Sequence, residues 1–270
     1  EFEVSFRNDP SAELQYTISA NIGTYKTKLT ELPENVINKY PGDGVRDFVI
    51  GRSPNVFYGL VADGIFKTQE EVDNHAEQPG KAIGRIRYKD LDGDGRVDEL
   101  TDRTYIGTAD PDFFGGITFD FKYRNFDLNM FFQGVFGNQV SNDWKRQSDF
   151  WHISGSVPVG KNHPTRLLDA WSFDNPDSDI PAMTNVMTNN EQRMSTYYIE
   201  DGSYLKLRNI ELGYTFPAKI TNKMMMKNLR VYACARNVFT LKKFWGDDQF
   251  TSFRSEEHTS ELQSLFAISY

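Results

Sequence analysis

Cysteine is almost missing from this chain. Cys234 stands alone among 270 residues, so no internal disulfide can form and no thiolate pair can hold zinc. Histidine is nearly as scarce. His75, His152, His163 and His258 lie far apart, in no HExxH or comparable ligand spacing, and read as loop or surface residues. Basic charge is in deficit, with 30 Lys and Arg against 38 Asp and Glu and a formal charge of -8. That balance argues against a nucleic-acid partner, because nucleic-acid binders concentrate positive charge. No stretch of about 18 apolar residues occurs, so no transmembrane helix is expected. No basic, apolar leader opens the chain either. Glu1 starts in the middle of a strand pattern, so the N-terminus reads as a cut edge and the missing leader says nothing about compartment. There is no GxSxG, GxxxxGKS/T or GxGxxG motif and no pair of carboxylates at acid–base spacing, so an enzyme is not expected.

What the chain has in quantity is aromatic residues, 14% of the total with 21 Phe and 13 Tyr, which favour strands. The clearest pattern is FFGGITFDFKYRNFDLNMFFQGVFG, residues 113–137. Ile117, Phe119, Phe121 and Tyr123 alternate with Thr118, Asp120 and Lys122; Phe126, Leu128, Met130 and Phe132 alternate with Asp127, Asn129 and Gln133. A two-residue turn at Arg124-Asn125, where Asn tolerates the left-handed region, pairs Tyr123 with Phe126, Phe121 with Leu128, Phe119 with Met130 and Ile117 with Phe132. On the other face Lys122 meets Asp127 and Asp120 meets Asn129, both favourable cross-strand pairs. Only Phe131, opposite Thr118, breaks the alternation.

The same period recurs along the chain. Phe2, Val4 and Phe6 mark a strand end, and Asn8-Asp9-Pro10-Ser11 is turn chemistry. A second strand alternates Leu14, Tyr16, Ile18, Ala20 and Ile22 with polar residues. Tyr204–Phe216 changes phase between Leu207 and Ile210, which predicts a bulge near Arg208-Asn209. Pro217–Asn228 reads as a connector with one helical turn around Met224-Met225-Met226, and Leu229–Leu241 as a sixth strand. The connections therefore run short, long, short, long, short. Short turns at one end and long loops at the other are the pattern of an antiparallel up-and-down transmembrane β-barrel, apolar outside and polar within. Six strands make only part of one. The rival reading is a soluble, calcium-stabilised, carbohydrate-binding β-sandwich.

Within the first long loop, Asp90, Asp92 and Asp94 fall at positions 1, 3 and 5 of a calcium-loop spacing, with Gly95 at 6 and Val97 at 8. Arg96 offers a carbonyl and Asp98 a carboxylate or a bound water. Position 12 is Thr101 instead of the usual Glu, so Glu99 or Asp102 has to serve. The expectation is a structural Ca2+ site over Asp90, Asp92, Asp94, Arg96, Asp98, Glu99 and Asp102. In the second long loop Trp144, Trp151 and Trp171 lie among Asn142, Asp143, Asp149 and Asn162, flat aromatics beside amides that suit sugar stacking. The last residues, 254–270, share no pattern with what precedes them. Back-translated, they resemble a short-read sequencing adapter, and they are excluded from fold reasoning, leaving 1–253 as the β-barrel portion.

Five stretches together resemble the C-terminal part of SusC/RagA-type TonB-dependent outer-membrane transporters of Bacteroidetes. They are FYGLVADGIF (57–66), IRYKDLDGDGRVDELTDRTYIG (86–107), PDFFGGITFDFKYRNFDLNMFFQGVFGN (111–138), DGSYLKLRNIELGYTFP (201–217) and LRVYACARNVFTL (229–241). They come in family order and span essentially all of 1–253. The resemblance implies a large barrel in the cell outer membrane, with lipid against its outer face and a plug and TonB box that have no counterpart in these residues. It also implies a SusD-like surface lipoprotein acting as lid, the TonB complex as energy source, and oligosaccharides or peptides as imported solutes. The acidic loop departs from the family by one extra residue before Asp102-Arg103.

Overall fold

The computed structural model describes residues 1–31, 50–150, 164–184 and 191–244; the tail at 254–270 and Trp151 lie outside them. Six strands form one antiparallel sheet in which every neighbour in space is also the next long strand in sequence. They are β1 (Phe2–Arg7), β2 (Leu14–Gly23), β7 (Phe113–Tyr123), β8 (Phe126–Phe136), β11 (Tyr204–Thr215) and β12 (Arg230–Lys242). The short connections, at 8–13, 124–125 and 216–229, gather at one end, and the two long segments, 24–112 and 137–203, at the other. Six shorter strands lie inside those segments: β3 (Val56–Leu60), β4 (Ala62–Ile65), β5 (Ile86–Tyr88), β6 (Arg103–Thr108), β9 (Gln139–Ser141) and β10 (Ile199–Asp201). They pair as β3–β6, β4–β5 and β9–β10. Among the described residues no helix is long and apolar enough to cross a membrane, which says nothing of crossing by strands.

The β7–β8 register is the one the alternation dictates, rung by rung from Tyr123–Phe126 to Ile117–Phe132. The turn differs in one respect. Arg124 takes the left-handed conformation, at φ 54°, while Asn125 does not. A single positive φ at the first turn position suits the strand twist as well as two would. Phe131 also finds its reason. It shares a face with Gly116, where a Cβ would come 2.6 Å from the Phe131 ring, so the ring lies over bare backbone. Phe136 over Gly134 and Phe114 over Gly23 repeat the device.

In β11 the register shifts between Leu207 and Asn209, against both β8 and β12. That shift returns Leu205 and Leu207 to the face of Ile210, Leu212 and Tyr214, despite their opposite phase in sequence. The β12 side absorbs the irregularity with Asn237 at φ 51°. The connector before β12 is helical earlier than its methionines suggest. A short helix covers Ala218–Thr221 and a 3-10 turn Asn222–Met224, and Met225, at φ 55°, ends it.

The apolar face of the sheet carries no covering layer of described residues. Phe2, Val4, Phe6, Phe126, Leu212 and Leu241 are each more than half exposed. A sandwich would bury that face against a second sheet, and here it stays open along all six strands. The buried core lies elsewhere, in a cap built from the two long segments, where Leu60, Ile86, Tyr88, Val97, Phe150 and Tyr198 pack together. Leu60 donates its N–H to the Met194 carbonyl at 2.9 Å and Ala62 donates to Thr196 Oγ1 at 2.8 Å, so the two segments are knitted by backbone as well as by packing.

Candidate functional site

Asp90 is the hub of the acidic loop. Its Oδ1 accepts the Gly93 N–H at 2.7 Å and its Oδ2 the Gly95 N–H at 2.9 Å. Both glycines occupy the left-handed region, at φ 79° and 85°, which turns their amides inward. Asp92 and Asp94 each accept the N–H two residues on, at 3.1 and 2.8 Å, the side-chain habit that suits Asp to tight turns. Asp98 accepts the amides of Leu100 and Thr101 at 2.7 and 3.0 Å. Asp102 is wholly buried and closes the loop, accepting the Leu91 N–H at 2.6 Å and the Asp98 N–H at 2.8 Å.

Carboxylate oxygens of Asp90, Asp92 and Asp102 lie within 4.8 Å of one another. Of the two stand-ins for the missing position-12 Glu, Asp102 is therefore the one that joins the cluster. Asp94, Asp98 and Glu99 stay outside that trio, and Arg96 turns its N–H to Asp94. Three like charges so close are unfavourable unless a cation or protons offset them. The amides of Thr101 and Leu100 hold the Asp98 carboxyl below the ordinary carboxylate range. At Asp90 desolvation opposes ionisation, but the amides of Gly95 and Gly93 together outweigh it and this carboxyl too sits low.

The loop is fastened to the cap by its backbone. Glu77 donates its N–H to the Gly95 carbonyl and receives the Val97 N–H at its own, both at 2.8 Å, which drives Val97 into the core. The cap also buries charge. Arg85 and Glu191 pair at 3.2 Å with side chains 6% and 2% exposed, and Glu191 Oε1 accepts the Ile86 N–H at 2.9 Å. Tyr198 donates its hydroxyl to the Glu191 carbonyl at 2.6 Å. Arg166 stands 3.1 Å from Asp149, which also accepts the Tyr197 hydroxyl at 2.7 Å. Burial pushes the Glu191 carboxyl up against the pull of Arg85, and pushes Asp149 up against Tyr197 and Arg166.

Trp171 is buried against Gly84, where a Cβ would come 2.8 Å from the indole, and its ring stands edge-on to Phe173 at 5.3 Å. Trp144 is half-buried in a short helix, Asp143–Ser148. On the polar face of the sheet, Asn129 donates to Asp120 at 2.7 Å and Asn209 to Asn129 at 3.2 Å. Arg230 reaches Glu211 at 2.7 Å and also pairs with Asp127. Alternation alone puts Asp120, Lys122, Asp127, Asn129 and Gln133 on this face. Arg230 and Glu211 as its charge partners, and the ion pairs of the cap, were missed. Arg85 and Glu191 are joined only by the fold, and no local spacing announces them.

No protein-family model matches the chain. Among curated proteins it is similar to TonB-dependent receptor P3 of Formosa agariphila, 28% identical in an alignment of 266 residues that covers 96% of this chain and 25% of that protein. It is also similar to the TonB-dependent receptor SusC of Bacteroides thetaiotaomicron, 24% identical over 253 residues, 92% of this chain and 23% of the relative. The chain thus spans about a quarter of the length of these relatives. Among solved structures it resembles the RagAB peptide transporter, with a TM-score of 0.62 and 21% identity over 90% of this chain and 25% of that one. The fold is accordingly six strands of a larger antiparallel β-barrel of the kind seen in that structure, and the curated relatives named are TonB-dependent receptors.

Proposed function

We propose that this chain, a relative of the SusC/RagA-type TonB-dependent receptors, works as part of an energised nutrient importer of the outer membrane. The observation that carries the reading is the extent of the likeness: 96% of the chain aligns with one such receptor, cap and strands alike. The apolar sheet face meets lipid, the face bearing Asp120, Asn129, Asp127 and Arg230 lines the lumen, and the cap stands outside the cell. There it captures an oligosaccharide or a peptide together with a SusD-like surface lipoprotein. The TonB complex then draws a plug from the lumen, and no covalent step is required. The test is to purify the full-length protein from the outer-membrane fraction and to measure growth of a deletion strain on defined oligosaccharides and peptides. A co-purifying lipoprotein and a growth defect on one solute class are expected. Recovery in the soluble fraction, with growth unchanged on all of them, overturns the reading.

Calcium in the acidic loop belongs to the same proposal. Asp90, Asp92 and Asp102 would hold the ion, with Asp94, Asp98 and the Arg96 carbonyl within reach along the loop, and the ion would supply rigidity rather than chemistry. Clustered carboxylates and inward-turned glycine amides support this. In the full-length protein, Asp92→Ala with Asp94→Ala should raise protease sensitivity of the loop in calcium, and chelator should do the same to the wild type. Equal cleavage in all four samples sinks the structural ion.

A further inference from the structure

The uncovered face of the sheet is not uniformly ridged. On one rung Ile22 pairs with Gly115, Gly115 with Gly134, and Gly134 with Leu205. Two adjacent glycines therefore stand between Ile22 and Leu205, the backbone of Gly115 uncovered by any side chain of its own and that of Gly134 roofed by the Phe136 ring. Two residues toward the long-loop end, Phe113 and Phe136 stack at 4.9 Å. Two residues toward the short turns, Ile117 and Phe132 form the opposite wall. The result is a groove of about 510 Å3 on the apolar face, lined by apolar side chains, glycine backbone and Asn21. Its size falls in the range of small-molecule sites, roughly 300–1,000 Å3. The glycines are not spare. A Cβ on Gly115 would come 2.2 Å from the Asn21 carbonyl oxygen, and one on Gly134 2.6 Å from the Phe136 ring.

We propose that this groove seats one acyl chain of a membrane lipid and retains it more tightly than the surrounding bilayer. The occupant follows from continuity: Ile22, Ile117 and Leu205 belong both to the groove and to the lipid-facing band of the barrel, and no charged side chain lines the depression. A smooth barrel wall contacts many chains weakly and equally. A groove floored by Gly115 backbone and the Phe136 ring, between two aromatic-flanked ridges, contacts one chain on three sides. Its rung lies near the long-loop end of strands whose short turns sit at the opposite end, so the chain belongs to a lipid of the outer leaflet. The proposal, occupant and leaflet alike, rests on the outer-membrane reading above.

The test uses the full-length protein, extracted from the outer-membrane fraction in detergent, delipidated and offered lipid A, the acyl-bearing lipid of that leaflet. Native mass spectrometry then reads the retained lipid. Ile22→Trp and Leu205→Trp fill the groove from its sides, and Leu212→Trp adds the same bulk to the lipid face elsewhere. One retained lipid in the wild type and in Leu212→Trp, lost in both groove variants, supports the proposal. Equal retention in all four proteins, or none in any, overturns the groove while leaving the transporter reading intact. A wild-type chain found outside the membrane fraction removes both. Heat-modified gel mobility confirms that each variant is folded.

Discussion

Glu191 shows what a single side chain contributes in the cap. Its carboxylate meets Arg85 at 3.2 Å and the Ile86 N–H at 2.9 Å, in a place where water does not reach. Removing one partner of a buried pair leaves the other charge uncompensated, a loss of about 3–5 kcal/mol, whereas replacing both with apolar residues is often neutral. Glu191→Leu and Arg85→Met should each destabilise the cap by about that much, and the double variant by clearly less, as read from protease resistance in urea. A double variant as damaged as the sum of the singles contradicts this account. Asp98 makes the opposite case. Its folded-state pKa is depressed by the Thr101 and Leu100 amides, so its contribution is complete above the ordinary carboxylate range and is lost only as pH falls through the lowered value. Protection of those two amides, corrected for intrinsic exchange, should stay level from neutral pH down to that range. Protection that fades earlier would show that Asp98 does not hold them.

At the scale of elements the decisive feature is the bulge in β11. Side chains alternate with a period of two, so one residue more or less moves every later side chain to the other face. Arg208 is the residue that the shift accommodates. Deleting it should therefore leave Leu205 and Leu207 on the apolar side of a regular strand and preserve assembly into the outer membrane. Inserting one alanine between Ile210 and Glu211 should instead put Leu205, Leu207 and Ile210 out of phase with Leu212 and Tyr214 and abolish it. The measurement is heat-modifiable gel mobility of the membrane fraction, and normal assembly of the insertion, or failed assembly of the deletion, would refute the role of the bulge. The six long strands, the register of the β7–β8 hairpin and this bulge were legible in sequence because each depends on neighbours within about a dozen residues and on a two-residue period. Arg124, not Asn125, carries the positive φ, and propensity placed it wrongly because the twist of the flanking strands selects the turn position. The acidic loop was legible for the same local reason. Its closure by buried Asp102 was left undecided against Glu99, because burial depends on packing that the sequence alone does not display.

For the whole molecule the segregation of turns and loops makes a claim about sidedness. In cells expressing the full-length protein, a tag inserted after Leu100 should bind antibody without permeabilisation. A tag between Arg124 and Asn125 should bind only after it. The reverse labelling would invert the proposed orientation. The cap resisted sequence reading for a reason of the same scale. Leu60 bonds to Met194 and Ala62 to Thr196 across more than a hundred residues, and pairings so distant leave no periodic trace.

That interlocking has a consequence for how such proteins diversify. Because residues from both long segments fill one core around Tyr88 and Tyr198, neither segment can be exchanged for a homologous one without leaving a mismatch in the other. Recombination that carries both together, with the β7–β8 hairpin between them, keeps the fit. The heritable unit of new specificity is then the whole block from Val56 to Asp201, and chimaeras cut inside it should fail where chimaeras cut in the flanking strands succeed.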